Sequence, residues 1–586
     1  MFGSAIGQAF LWSLIIVLPT LIALIGSRSV EAGLVAAVIV VLVLVVINTL
    51  IFWWAQPTIG MSTLGIYKPF WWLLGEFLVA AIIVGFFSSA ENESPTTGCW
   101  ILVAVFICAF MYGWHIHGVW TNGRAQQLAQ EVKVQKEPIS AYPDTDANHI
   151  LQVPQETADF KAQQVLASST EHNINTFFAV DGSALQSVNQ HLYWVFWLKP
   201  TGYRNSNKAG GIVPGYVVVD AEDPDASAQM KVGARYSQRY VPGGVFGLKL
   251  KRHLWKNGYS GKVITDLTME VDDNWKPHFT ASIDRRTVGA KSTIPGAVLV
   301  VEPLSGETKE YSLKKSPDWI DRIYSEETVK TMLNWWGEWG KAPYNMISES
   351  SANRYKVADE EDPVLVYTKE GYPVWQVIMT SWNKDTSASY LALFDARKNR
   401  VRLYQIPGLT LASTAANTIH GNSSNTRKLE PVHLALHQIY GQLTWVASMI
   451  TEGGGTSANQ GVALLKATDI NGENVVQAQD MGTALTNYRV KLARGFNNQT
   501  PSEQATSLSI DGTIVKLGQI VKDGQTIFYI RLESDKKHVY RASVASGDPE
   551  LPFIETGHKV RLGYLDSGNV ERDVGNFDDL GSNIAK

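Results

Sequence analysis

One pattern recurs four times between residues 192 and 467, and it limits the fold more than any other feature of the chain. An aromatic strand is followed by a variable turn, then by an apolar strand that closes on an acidic or polar residue. The copies read Leu192–Trp197 with Gly215–Ala221, Pro277–Ile283 with Gly296–Pro303, Pro373–Met379 with Tyr390–Ala396, and Leu443–Met449 with Gly461–Ala467. Aromatic and β-branched residues alternating over these lengths predict half-buried strands joined as hairpins. A helical stretch precedes each hairpin: Glu156–Ser168, Val245–Lys256, Glu326–Gly337 and Leu411–His420. One helix over a small antiparallel sheet buries both apolar faces, which is the α+β arrangement.

With 586 residues the chain is long enough for about three or four domains. Its 45% apolar and 18% charged residues exclude overall disorder. A net charge of −4 argues against a general nucleic-acid coat, and two cysteines exclude a disulfide scaffold. Apolar residues crowd the first 120 positions in four runs: Phe10–Ile25, Gly33–Trp54, Phe70–Phe87 and Cys99–Trp114. A membrane span needs about 20 apolar residues, so the runs predict an α-helical transmembrane bundle. Tryptophans at the run ends fit interface anchors. Lys68 and the lysines and arginines after the fourth run place the soluble part in the cytoplasm, at a bacterial inner membrane. The absence of cysteine after Cys108 favours the alternative, an extracytoplasmic location. Within the runs, Glu76 and Asn48 are the polar candidates for an ion path. His115 and His117 fit an interface position.

The expected organisation is a transmembrane domain over 1–120, a helical extension and linker over 121–154, modules one and two over 155–325, modules three and four over 326–500, and an all-β barrel with its tail over 501–586. The segment from Asp144 to Asn148 starts like a calcium loop, but His149 stands where that loop needs glycine. In the last domain five short strands separated by turn signals resemble an OB-fold barrel. Phe528, Tyr529, Tyr540 and Arg541 are its surface candidates. Acidic residues interrupt that field, so nucleic acid is not an expected partner.

The repeated unit also resembles the PepSY-type module of protease propeptides. The carrying residues are the strands Pro373–Val377 and Val217–Ala221 and the turn Gly306–Glu307. The layout is similar to poorly characterised bacterial and phage membrane proteins, some labelled cell-shape-determining. The family resemblance implies an inhibitory or binding module without catalytic residues.

No phosphate loop, dinucleotide fingerprint or nucleophile elbow is present, and no cofactor or metal is expected. His433 and His437 have the spacing of a helical metal pair without the adjacent glutamate base, which favours a structural role. Asp220, Asp223 and Asp225 form an acidic turn whose default is a solvated loop. Trp194, Trp375 and Trp445 sit at strand spacing and Trp335, Trp336 and Trp339 at helical spacing. All six are interaction candidates, the last three because three indoles within five residues of a helix cannot face one core. The chain therefore reads as a membrane-anchored, non-enzymatic scaffold. Its partners are itself, as a homo-oligomer, other membrane or soluble proteins, and the bilayer. An ion channel or transporter subunit using Glu76, or a peptidase regulator, are the alternatives.

Overall fold

In a computed structural model of the protein the described residues are 122–145, 149–169, 174–286, 293–340, 354–359, 361–382, 387–422, 429–451, 459–469, 471–472, 475–495, 507–522, 525–543, 550–565 and 570–581, with Leu42 and Val46. The chain enters through helix α1 (Asn122–Gln130) and strand β1 (Val134–Glu137). Four units follow, each a helix and then an antiparallel meander. In unit 1, helix α2 (Gln155–Ser168) precedes β2 (Phe178–Val188), β3 (His191–Pro200), β4 (Gly215–Asp220) and β5 (Gln229–Val232). In unit 2, the short helix α3 (Leu250–Leu254) precedes β6 (Val263–Val271), β7 (Pro277–Arg286), β8 (Thr293–Val301) and β9 (Thr308–Ser312). In unit 3, α4 (Glu326–Trp339) precedes β10 (Tyr355–Val357), β11 (Val364–Tyr367), β12 (Pro373–Ser381), β13 (Tyr390–Asp395) and β14 (Val401–Tyr404). In unit 4, α5 (Ala412–Gly421) precedes β15 (Leu429–Ile439), β16 (Gln442–Thr451), β17 (Asn459–Lys466) and β18 (Val476–Ala478). Helix α6 (Met481–Gly495) then leads to a closed barrel of β19 (Ser507–Lys522), β20 (Gln525–Leu532), β21 (Val539–Ser543), β22 (Lys559–Leu565) and β23 (Glu571–Asp579).

The same lock closes every unit. Just past the second strand of each repeated hairpin, one residue turns its carbonyl toward the segment that feeds the helix. Ala221 accepts the N–H groups of Gln152 and Val153 at 2.8 and 3.0 Å, Pro303 those of Arg239 and Tyr240, and Ala396 those of Ile323 and Tyr324. Ala467 accepts the N–H and the hydroxyl of Thr410. The buried aromatic of the preceding strand completes the lock. Trp194 donates its indole N–H to the Val153 carbonyl at 2.8 Å, Trp375 to the Tyr324 carbonyl at 2.7 Å, and Trp445 to the Thr410 hydroxyl at 2.9 Å. Unit 2 carries Phe279 at this place, which packs without a donor. A buried indole N–H usually finds such a partner.

Core packing joins the units. Along β12, Trp375, Val377 and Met379 face a core shared with unit 1 and unit 2, while Val374 and Ile378 face a second core shared with unit 4. Both faces of that strand are therefore covered, which is why its sequence runs apolar without alternation. Two glutamine amides bridge the units. Gln186 donates to the Val271 carbonyl at 2.6 Å and accepts the Val271 N–H at 2.9 Å. Gln376 donates to the Leu436 carbonyl at 2.9 Å and accepts the Leu436 N–H at 2.6 Å. A buried carboxylate junction ties three units together. Glu270 accepts the Asp321 N–H at 2.8 Å and the Thr280 hydroxyl at 2.9 Å. Asp321 accepts the Ser187 N–H at 2.6 Å and the Tyr367 hydroxyl at 2.9 Å. Burial, then the charge of Asp321, pushes the Glu270 carboxyl up to about 8, and burial pushes Asp321 up to about 7.

Residues 122–137 form part of unit 3. Strand β1 pairs in parallel with β14, Val134 opposite Val401, and α1 packs on α4. Helix α4 starts at an N-cap, Ser325, whose hydroxyl accepts the Thr328 N–H. Near its end Gly337 lets the helix touch β10, since a Cβ there would lie 2.1 Å from the Tyr355 carbonyl oxygen.

One expectation needs correction. The described chain is dominated by strands, and among the described residues no helix is long and apolar enough to cross a membrane. The longest of the helices introduced above runs 15 residues and lays one side against a sheet and the barrel. The helical transmembrane bundle, and the integral-membrane location with a cytoplasmic bulk that was read from it, are corrected accordingly. Apart from Leu42 and Val46, the four apolar runs lie outside the described residues, as do Asn48, Glu76, His115 and His117. His433 and His437, whose spacing matches a helical metal pair, sit on strand β15.

Replacing Gln376 with alanine leaves the Leu436 N–H without its side-chain acceptor and removes one donor to the Leu436 carbonyl, and should destabilise the protein by about 2–3 kcal/mol, read from the denaturant midpoint. Glu270 holds its proton more tightly folded than unfolded. Its contribution is therefore complete below the ordinary glutamate range and is lost as pH rises through about 8. The melting temperature of the Glu270→Gln variant should fall less between pH 5 and about pH 9 than that of the native chain.

Candidate functional site

Unit 1 departs from its sister units at one edge of its sheet. In each unit a residue at or just past the end of the hairpin's second strand stands beside one at or just before the start of its first. Tyr193 is paired with Asp220, and His191, two residues earlier, reaches the same carboxylate with Nε2 at 2.8 Å. The counterparts are Tyr372, which donates its hydroxyl to Asp395 at 2.8 Å, and Lys276, 3.8 Å from Glu302. Unit 4 has Gln442 and Lys466 there. Unit 1 adds a second acid, Glu222, where the other three units carry Leu304, Arg397 and Thr468.

Three segments position the resulting cluster. A two-residue turn through Asn189 and Gln190, both at positive φ, delivers His191 to the start of β3. Glu222 is held from below, where its Oε1 accepts the Leu192 N–H at 3.1 Å. The segment from His149 to Val153 is fixed by the lock to Ala221 and by the Gln152 amide, which donates to the Glu222 carbonyl at 2.6 Å. His149 Nδ1 then lies 3.2 Å from both Glu222 oxygens, and His191 Nδ1 lies 3.0 Å from Oε2. Ligand atoms of His149, His191 and Glu222 all fall within 4.8 Å of one another. Glu222 is 6% exposed, and burial raises its carboxyl pKa against the lowering influence of His191. These are the residues that could hold a cation. The acidic turn beside them is occupied by its own backbone. Asp220 accepts the N–H groups of Glu222 and Asp223, and Lys161 donates to the carbonyls of Pro224 and Ala226.

Behind His149 lies a small cavity where units 1, 3 and 4 meet, lined by Leu185, Leu192, Tyr367, Val446, His433 and His437. A register shift between Val432 and Ala435, with His433 at φ 51°, turns both histidines into it. Burial alone lowers His433 to about 4, and burial with the neighbouring imidazole lowers His437 to about 3, so both are neutral at physiological pH.

The aromatic candidates divide. Trp194, Trp375 and Trp445 are buried in their own units, and Trp335 is buried under α4. Trp336 stacks on Tyr355 with ring centres 6.2 Å apart, and Trp339 is half-buried. Their burial removes Trp194, Trp375, Trp445 and Trp335 from any partner-facing surface, because they fill cores or supply the lock. Phe528 and Tyr540 likewise face the barrel core, so they form no outward stacking platform. Arg541 is held at 2.6 Å by the buried Asp573, which also takes Arg489 of α6 at 2.7 Å. Tyr529 remains half-exposed.

The sequence reading named neither His149, His191 nor Glu222 as candidates. A visible signal existed: acid–Ala–acid at 220–222 stands in only one of the four copies. No protein-family model matches the chain, and no curated protein matches it. The PepSY-type resemblance rests on the strand and turn motifs alone.

His433 and His437 bind protons less tightly folded than unfolded. Their contribution is present above about 6.5 and is lost as pH falls through about 4. A His433→Gln/His437→Gln chain should therefore show a flatter stability profile between pH 6.5 and 4, read from denaturant midpoints.

Proposed function

We propose that the chain is a non-enzymatic scaffold whose welded units hold a protein-binding barrel in a fixed place, with a second copy of the chain as its first partner. The observation that carries this reading is the exposed apolar tip of the barrel's first hairpin. Ile520 and Val521 lie on β19 opposite Ile527 and Thr526, and they are 44% and 71% exposed. Phe553 and Val570, also in the barrel, are 74% and 63% exposed. Apolar side chains gathered on one domain and facing water favour protein contact.

The rest of the molecule supports a carrier role. Its buried carboxylates Glu270 and Asp321 are engaged in joining units, and its buried glutamines bridge sheets. The barrel is tied by the Asp573–Arg489 ion pair to α6, which packs on unit 4. Its five-stranded closure, antiparallel apart from the β21–β23 pair, favours the OB-like reading.

Sedimentation of the full chain should give a dimer or larger species at micromolar concentration. An Ile520→Asp/Val521→Asp chain with an unchanged melting temperature should sediment as a monomer. A native chain that is monomeric across that range removes self-association from the proposal.

A further inference from the structure

We propose that His149, His191 and Glu222 form a binding site for a divalent transition-metal ion of the zinc type. The donor set is two imidazole nitrogens and one carboxylate oxygen, which suits zinc and its neighbours and not calcium or magnesium. The ligands come from three separate segments, each fixed by its own backbone bonds: the strap before α2, the first residue of β3 and the residue two past β4. Zinc sits about 2.0–2.2 Å from nitrogen and oxygen ligands. Tetrahedral ligands at that radius lie somewhat over 3 Å apart, and the gaps here are 3.0 Å from His191 Nδ1 and 3.2 Å from His149 Nδ1 to the Glu222 carboxylate.

A second observation points the same way. His191 Nε2 lies 2.8–2.9 Å from the two oxygens of Asp220. That carboxylate fixes the ring and favours the tautomer whose Nδ1 lone pair looks at Glu222. A metal-bound histidine normally carries such a carboxylate or carbonyl on its far nitrogen. Asp220 is therefore a positioning residue and Glu222 a ligand, which gives separate work to the two acids of the unit-1 motif. The other units keep the first acid, or lose it, and none has the second. Three protein ligands leave one coordination position for water or for a donor group of a partner. The site stands apart from the barrel hairpin, so it holds or fails independently of self-association.

The test uses the full chain, stripped with chelator and titrated with zinc chloride by calorimetry against a competing chelator. One ion per chain is expected, with a dissociation constant in the micromolar range or tighter, and a raised melting temperature on loading. His149→Ala changes a side chain that is 40% exposed, so its fold is expected to survive, and it should weaken binding at least 100-fold. Asp220→Asn should weaken binding roughly 10–100-fold while keeping the stoichiometry at one. His433→Gln/His437→Gln should leave zinc affinity unchanged. Cobalt loading should give the visible bands of a four- or five-coordinate site in the native chain and lose them in His149→Ala. Absence of stoichiometric zinc binding would mean that the two imidazoles merely ion-pair with Glu222, and would overturn the proposal. So would zinc retained at full affinity in His149→Ala, or abolished by the His433→Gln/His437→Gln change.

Discussion

A carbonyl and an indole hold this fold together. Just past the second strand of each repeated hairpin the chain offers one C=O to the strap that feeds the helix, at Ala221, Pro303, Ala396 and Ala467. The strap is a short irregular segment with N–H groups that cannot reach a strand or a helix. Left unpaired in the core, each would cost about 1–3 kcal/mol. The lock satisfies them and fixes where the helix begins relative to its sheet. Three tryptophans reinforce it from the neighbouring strand. Phe279 shows that the carbonyl half is sufficient, since unit 2 keeps the strap bonds without an indole. Everything further out depends on this geometry, because the faces that meet between units are the faces the lock sets.

Packing between units then follows from covering both sides of central strands. In unit 3 one face of β12 lies under α4 and the other lies against unit 4. Four polar side chains act as bridges in these contacts. Gln186 and Gln376 supply an amide where two backbones approach without forming a ladder, so each neighbouring N–H and C=O still finds a partner. Glu270 and Asp321 do the same at the meeting of units 1, 2 and 3. This is a polar-in-core design with every member bonded, the condition under which such networks favour one arrangement of the parts.

Legibility in the sequence followed burial. The strands β3, β4, β7, β8, β12, β13, β16 and β17 were visible because they are buried and rich in aromatic and β-branched residues. The first strands β2, β6 and β15 were not. Each carries a register shift, between Val180 and Gly182, Thr265 and Thr268, and Val432 and Ala435, and a bulge destroys the alternation on which such reading depends. Strand β1 was read as linker because Val134–Glu137 is short, polar and bound only at a sheet edge. Of the cluster in unit 1, Asp220 was legible as the end of a strand. His149 and His191 come from distant segments, and only folding brings them to Glu222.

The parallel pairing of β1 with β14 makes the order of synthesis matter. The Asn399 side chain donates to the Glu131 carbonyl across 268 residues, so the strand made first must wait through two complete units for its neighbour. Contacts of such long sequence separation form late and slowly. Until then unit 3 shows a bare sheet margin at β14, able to accept any extended segment of matching character. A chain truncated past residue 137 keeps that margin open, free to pair with an extended segment of another molecule.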